Sequence, residues 1–317
     1  MFHLYIFYLA RMIEVRKYSV MRGHQGSIYA LAANVGRQGF FYSAGGDGMV
    51  VEWNENDPEN GKLVAKVSTN IFSMLQLHEQ GLLLLGQMQG GIHVLDIEGN
   101  KEIKHLASHT NGVFDLQLSC DKNRFFSAGG DGRLCSWGVD KLELISQVTI
   151  SEQSLRCIAL HPELPLLAVG CSDNRAYILN SETFEIMQTL EKHTNSVFSL
   201  CFSPDGQWLL SGGRDAQLMV WNVKKNCEFN RQIPAHLFTI NSIVYSPDGN
   251  LFATASRDKT VKVWDAYDFS LLKVLDREKM DGHLNSVNKL IWPDCLISCS
   301  DDRTIIAWNV TYKSPAK

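Results

Sequence analysis

The stretch 127–137 of this 317-residue chain, SAGGDGRLCSW, places a serine, an aspartate and a tryptophan at fixed offsets, and His109 lies 22 residues before the aspartate. Serine, histidine and aspartate are the side chains of an acyl-transfer triad, in which the imidazole activates the hydroxyl and the carboxylate orients the imidazole. The same groups also suit a buried hydrogen-bond relay. A hydroxyl donates and accepts, an imidazole bridges, a carboxylate accepts and an indole N–H donates. Repetition decides between the two, because a triad is needed once. The stretch recurs as SAGGDGMVVEW (43–53), SGGRDAQLMVW (211–221), TASRDKTVKVW (254–264) and SCSDDRTIIAW (298–308). Weaker copies stand at 85–95 and 169–179.

The aspartate column runs Asp47, Gln89, Asp131, Asp173, Asp215, Asp258 and Asp302, in steps of 42, 42, 42, 42, 43 and 44 residues. A near-constant period of this size marks one supersecondary unit copied along the chain. Five units carry a full set: His24, Ser43, Asp47 and Trp53; His109, Ser127, Asp131 and Trp137; His193, Ser211, Asp215 and Trp221; His236, Thr254, Asp258 and Trp264; His283, Ser298, Asp302 and Trp308. Unit 2 has Val67, Leu85, Gln89 and Leu95 in these columns, and unit 4 has Ser151, Val169 and Leu179 around Asp173. Joint loss fits a cooperative network, since a half-satisfied buried network is worse than an apolar one. These twenty residues are therefore read as a structural relay, and none as catalytic.

The elements that position them read as strands. Residues 196–223 hold three apolar runs, 197–202, 208–211 and 218–223, separated by the turn signature SPDG and by GGRDA. A fourth run, such as SLLKVL (270–275), precedes the next histidine. Four short antiparallel strands cannot bury both faces alone, so the units must stack. Helix-period stretches are absent, and the chain is read as all-β.

Composition narrows the function. A net charge of −4 and 45% hydrophobic residues describe a globular protein without the basic balance of a nucleic-acid binder. The eight cysteines include no CxxC pair and sit mostly in apolar runs, as small buried groups in a reducing, cytoplasmic setting would. Cys295 and Cys299 would lie about 13 Å apart on one strand face, too far for a disulfide. The histidines outside the relay, His3, His78, His93, His105 and His161, show no metal-ligand spacing, and no phosphate loop is present, so no metal or cofactor is expected. The apolar start MFHLYIFYLA is shorter than the roughly 20 residues a bilayer span needs and lacks a basic flank. Residues 1–11 are read as a mobile leader or a misplaced start before Met12, 12–312 as one domain, and 313–317 as a short tail. No membrane partner is expected.

With GH at 23–24 and 282–283, SPDG at 203–206 and 246–249, and VWD at 263–265, the chain resembles the WD40-repeat β-propeller family over about 300 residues. The Trp-Asp dipeptide survives once and is elsewhere WN or WG. The resemblance implies four-stranded blades around a central channel, and seven unit cores imply seven blades. The strand-like 12–20 precedes the first GH and the chain stops soon after Trp308, so the amino-terminal strand is expected to complete blade 7 and cover its edge.

The resemblance also implies a docking face on the channel rim, built from residues five after the histidine column and one before the aspartate column, with a third, mostly small or polar position three after the histidine (Ser27, Asn70, Gly112, Ser154, Ser196, Thr239 and Ser286). The first column is Tyr29, Phe72, Phe114, Arg156, Phe198, Asn241 and Asn288; the second contributes Met88, Arg214, Arg257 and Asp301. The aromatics and Met88 are expected in one sector and the three arginines in a neighbouring one, as anchors for a protein or peptide, acidic or phosphorylated. The competing reading packs the aromatics as core between blades, and a bulge in the strand would change which way they face. The charged extension DREKM (276–280) is a further candidate contact or a neutral insertion. The acidic turn NENDPENG (54–61), with Glu52 before it, is a solvated turn or a second patch for a basic partner. The leading function is a non-catalytic interaction scaffold. A propeller hydrolase or lyase is the alternative, and a nucleic-acid binder a weaker one. The WDxR sequence of some ubiquitin-ligase adaptors is not matched, because Ala266 and Tyr267 follow Trp264-Asp265.

Overall fold

Each repeat's apolar runs pair with their own neighbours in sequence, and the result is seven four-stranded antiparallel sheets. The computed structural model describes residues 12–107 and 109–312. The expectations for 1–11 and 313–317 lie outside the described residues. The innermost strands are Ile28–Ala33, Ile71–Leu77, Val113–Leu118, Leu155–Leu160, Val197–Phe202, Ile240–Tyr245 and Val287–Ile291. Each touches the next, and the last touches the first, so the blades form a ring.

The ring closes through blade 7, where Ile13–Arg22 is the outermost strand against Thr304–Tyr312, paired from Ile13↔Tyr312 to Arg22↔Thr304 with one register shift between Lys17 and Ser19. Ile13 and Val15 are buried in the closing core with Ile306 and Trp308. An edge that would otherwise display unpaired N–H and C=O groups is thereby covered.

The core lies between blades. Leu210, Leu218 and Val220 of blade 5 pack on Ile240, Phe252 and Trp264 of blade 6. Ile297, Cys299 and Ile305 of blade 7 pack on Leu31, Phe41 and Trp53 of blade 1. Each such large side chain contributes about 1.5–3 kcal/mol on burial, so stability comes from stacking rather than from any blade alone. All eight cysteines are free. Among the described residues no helix is long and apolar enough to cross a membrane.

Two loops and one side chain differ from the sequence reading. DREKM is a one-turn helix, Arg277–Met280, capped by Asp276, whose side chain accepts from Lys279 N. It is latched to the closing strand, because Lys17 pairs with Asp281 and donates to its carbonyl at 3.0 Å. NENDPENG is mostly strand, since Asp57–Lys66 already forms the outer edge of blade 1. Glu52 is buried rather than part of an acidic surface. Its carboxylate accepts from Asn34 Nδ2 (3.0 Å) and Arg37 (3.2 Å). Burial, with the nearby Glu52 charge, pushes the neighbouring Tyr42 hydroxyl up to about 12.

Candidate functional site

The repeated polar set comes first because it fixes the loops of one face. In blade 3, Trp137 Nε1 donates to Ser127 Oγ at 2.9 Å, Ser127 Oγ lies 2.7 Å from His109 Nε2, and His109 Nδ1 lies 3.0 Å from Asp131. Blades 1, 5, 6 and 7 repeat the chain, with His Nε2 to hydroxyl distances of 2.7, 2.8, 2.7 and 2.8 Å. A carboxylate only accepts, so Nδ1 carries the proton, and Nε2 of the neutral ring accepts from the hydroxyl. Every hydroxyl of the five sets, Ser43, Ser127, Ser211, Thr254 and Ser298, is fully buried and held between indole and imidazole. None can reach a substrate carbonyl.

The aspartates do a second task. Asp131 accepts from Thr110 N in the histidine loop and from Arg133 N in its own hairpin. The residue after each column position has positive φ, from Gly48 at 69° to Ala216 at 64° and Arg303 at 68°, and the carboxylate holds that turn. Burial by itself pushes the carboxyl pKa values of Asp47, Asp131, Asp215, Asp258 and Asp302 up. Histidine and backbone N–H bonds outweigh it, so all five lie below the usual carboxylate range.

Blades 2 and 4 carry other polar groups. In blade 4, Asp173 is not solitary: Ser151 Oγ donates to it at 2.9 Å and Tyr177 Oη at 2.7 Å, so a shorter relay replaces the imidazole. Asp173 also accepts from Arg175 N, and this turn duty accounts for an aspartate outlasting its histidine. In blade 2 the Gln87 amide bonds Thr69, His93 and His105. Among the described residues no group of three or more His, Cys, Asp or Glu converges to hold a metal ion.

The same backbone irregularity occurs in all seven innermost strands. Each has a register shift around one residue: Tyr29, Phe72, Phe114, Arg156, Phe198, Asn241 and Asn288. A bulge leaves one residue out of the ladder and re-aims its side chain. These seven side chains are half-buried and line a central cavity of about 660 Å³.

The cavity wall is continuous across blades 1 to 5. Tyr29 and Phe72 rings lie 5.5 Å apart, and Phe72 stacks on Phe114 at 5.4 Å. The Arg156 guanidinium sits 4.4 Å from the Phe114 ring centre and 5.2 Å from that of Phe198, with Nε donating to Ser172 Oγ at 2.8 Å. The two expected sectors are therefore not separate, because Arg156 is inserted between two of the aromatics. The competing core reading is partly met as well, since each ring meets a side chain of a neighbouring blade while bordering the cavity. Two members of the set serve as inter-blade staples. Asn241 Nδ2 donates to Val287 O (2.8 Å), and Asn288 Nδ2 donates to Ile28 O (2.9 Å) and to Asp301 (2.8 Å). Deeper in the cavity, Lys289 of blade 7 lies 4.0 Å from Asp115 of blade 3, an ion pair across the channel.

Met88, Arg214 and Arg257 are exposed on the rim. Sequence reasoning missed three further rim residues, Leu237, Phe238 and Leu284, which are 82%, 57% and 55% exposed. Their signal was a column change. The position after the histidine is Gln25, Thr110 and Thr194 in blades 1, 3 and 5, but leucine in blades 6 and 7. Phe238 is held beside Arg257, because Arg257 N bonds Thr239 O and Ser256 Oγ bonds Phe238 O.

A family model described as WD domain, G-beta repeat matches residues 100–138, 184–222, 227–265 and 274–309. These segments hold four of the five complete relays; the relay of blade 1 lies outside them. The chain is similar to human Echinoderm microtubule-associated protein-like 3, with 29% identity over 211 residues, 64% of this chain and 22% of that protein. It is similar to Meiotic recombination protein rec14 of Schizosaccharomyces pombe, with 23% identity over 206 residues, 63% of this chain and 67% of that protein. Protein groucho of Drosophila melanogaster is 28% identical over 134 residues, 42% of this chain and 18% of that protein. The chain thus spans 22% and 23% of the length of the first two curated relatives.

Proposed function

The chain belongs to the WD40-repeat β-propeller family, and from that premise we propose that it is a non-catalytic scaffold holding a protein or peptide segment on the channel-mouth face. One observation carries the reading: an identical bulge in every blade turns one residue to the channel, and in blades 1 to 5 that residue is aromatic or arginine. Aromatic and arginine side chains are the anchors that interfaces concentrate. The rim adds Arg214, Arg257 and the apolar pair Leu237 and Phe238, so an anchor in the cavity can be flanked by contacts outside it. Catalysis is not part of the proposal, because the repeated Ser–His–Asp sets are buried and serve the turns. Eight free thiols suit a reducing compartment, and we place the protein in the cytoplasm on that ground.

The test is affinity capture from the source cell with the wild type, Phe198→Ala and Arg214→Ala. Each substitution is expected to cost the captured segment at least about 1 kcal/mol, roughly fivefold in affinity, with thermal stability nearly unchanged for Arg214→Ala. Identical partners and affinities for all three proteins would move the docking surface off this face.

A further inference from the structure

Arg156 is a positive charge without a negative partner. Its plane is gripped by Phe114 and Phe198, and Nε is used by Ser172. The guanidinium has five N–H donors, and four find no acceptor among the described residues. The nearby carboxylate of Asp115 is committed elsewhere. It accepts from Ile158 N (2.8 Å) and Leu116 N (3.0 Å) and faces Lys289.

Arg214 stands beside this site. Its backbone N bonds Ser196 O, and Ser196 Oγ bonds the carbonyl of Ser172, the residue whose hydroxyl holds Arg156. Arg214 also has no ion pair among the described residues. The two charges feel each other: burial above all, with the Arg214 charge as a lesser contribution, pulls the pKa of the Arg156 guanidinium down. A half-enclosed cation with a second one next to it is costly unless an anion arrives.

We propose that Arg156 and Arg214 form the seat for a phosphoryl group carried on a protein segment, with the Tyr29–Phe72–Phe114 arc taking an apolar side chain next to it. The inference rests on the scaffold reading above and names the chemistry that reading leaves open. A carboxylate neutralises one guanidinium. A phosphate monoester carries about −1.5 to −2 at pH 7, and its tetrahedral oxygens accept from two forks in different planes. A nucleic-acid backbone fits less well, because the chain is net acidic and the site takes one anion rather than a track of them.

Phenyl phosphate, benzoate and inorganic phosphate are the probes, titrated against the full chain and followed on the arginine Nε–Hε NMR signals. Phenyl phosphate is expected to move the Arg156 signal and to bind at least about tenfold tighter than benzoate. It should also bind more tightly than inorganic phosphate, and weaken from pH 7.5 to pH 5 as the monoester is protonated near pH 6. Arg156→Gln and Arg214→Gln should each weaken it by about tenfold or more; the second variant, at an exposed position, keeps the test valid if the first fails to fold. Benzoate binding as well as phenyl phosphate, an unmoved Arg156 signal, or full affinity in Arg214→Gln would overturn the phosphoryl seat. Inorganic phosphate binding as tightly as phenyl phosphate would remove the apolar arc from it. If Phe198→Ala loses captured partners while Arg214→Gln keeps them, the seat fails and the scaffold reading stands. If neither loses them, both fail.

Discussion

Two serines of blade 3 make a matched pair for measuring the relay. Ser127 is fully buried and holds two groups, accepting from Trp137 Nε1 at 2.9 Å and meeting His109 Nε2 at 2.7 Å. Ser136, on the adjacent strand and 1% exposed, has a hydroxyl with no partner among the described residues. Ser127→Ala leaves an indole N–H and an imidazole lone pair unsatisfied in a dry interior. Each costs about 1–3 kcal/mol, so the loss is expected at about 2–6 kcal/mol. Ser136→Ala removes an unsatisfied hydroxyl and is expected to be neutral or stabilising by up to about 1 kcal/mol. With an m-value of about 3 kcal/mol/M, Ser127→Ala lowers the urea midpoint by roughly 1 M, while Ser136→Ala leaves it or raises it slightly. Trp137→Phe orphans one lone pair of Ser127 and loses part of a ring stacked on Phe125. Combined with Ser127→Ala it should show a coupling of about 0.5–3 kcal/mol, as groups in one network do. Equal midpoints for the two serine variants, at equal m-values, would refute the relay as a source of stability.

Two other outcomes follow from the same geometry. A chain lacking 1–22 exposes the Thr304–Tyr312 edge and should aggregate in light scattering, whereas one lacking 1–11 should stay monodisperse; a soluble, folded 23–317 fragment would contradict closure by Ile13–Arg22. The five relay aspartates lie below their unfolded value of about 3.9, and burial puts His236 below its unfolded value of about 6.5 against the opposing pull of Asp258. In both cases the unfolded chain takes up protons more readily, so stability is complete above these values and is lost as pH falls through the folded ones. The urea midpoint should be flat above about pH 7, decline gently below about pH 6.5 and drop steeply below about pH 4, with Asp258→Asn removing part of the acid slope. A midpoint that rises between pH 7 and pH 5 would contradict this assignment.

The rim face was only partly legible. The bulge residue can be Tyr, Phe, Arg or Asn, so no residue type announces it; the column came from the family resemblance carried along the repeat, and its facing came from backbone geometry. The same limit hid Leu237 and Leu284, whose exposure depends on where their loops sit above Asp258 and Asp302. Blade 4 shows a different limit. A blank in the histidine column does not reveal that Ser151 and Tyr177 will satisfy the aspartate, because Tyr177 belongs to no relay column.

The sequence by itself determined the blade number, the strand order within each blade, the closing strand and the partners within each complete relay. All of these depend on offsets inside one repeat or on the two chain ends, and short-range pairing reproduces the same geometry each time the offsets recur. The tertiary structure alone decided the insertion of Arg156 between Phe114 and Phe198, the Asn241 and Asn288 staples, the burial of Glu52 and the pairing of Lys289 with Asp115 across the channel. Apart from Glu52, these join different blades, between residues 42 to 260 positions apart in the chain. Their distances are set by the bulge and by closing the ring, and neither leaves a periodic trace in residue type.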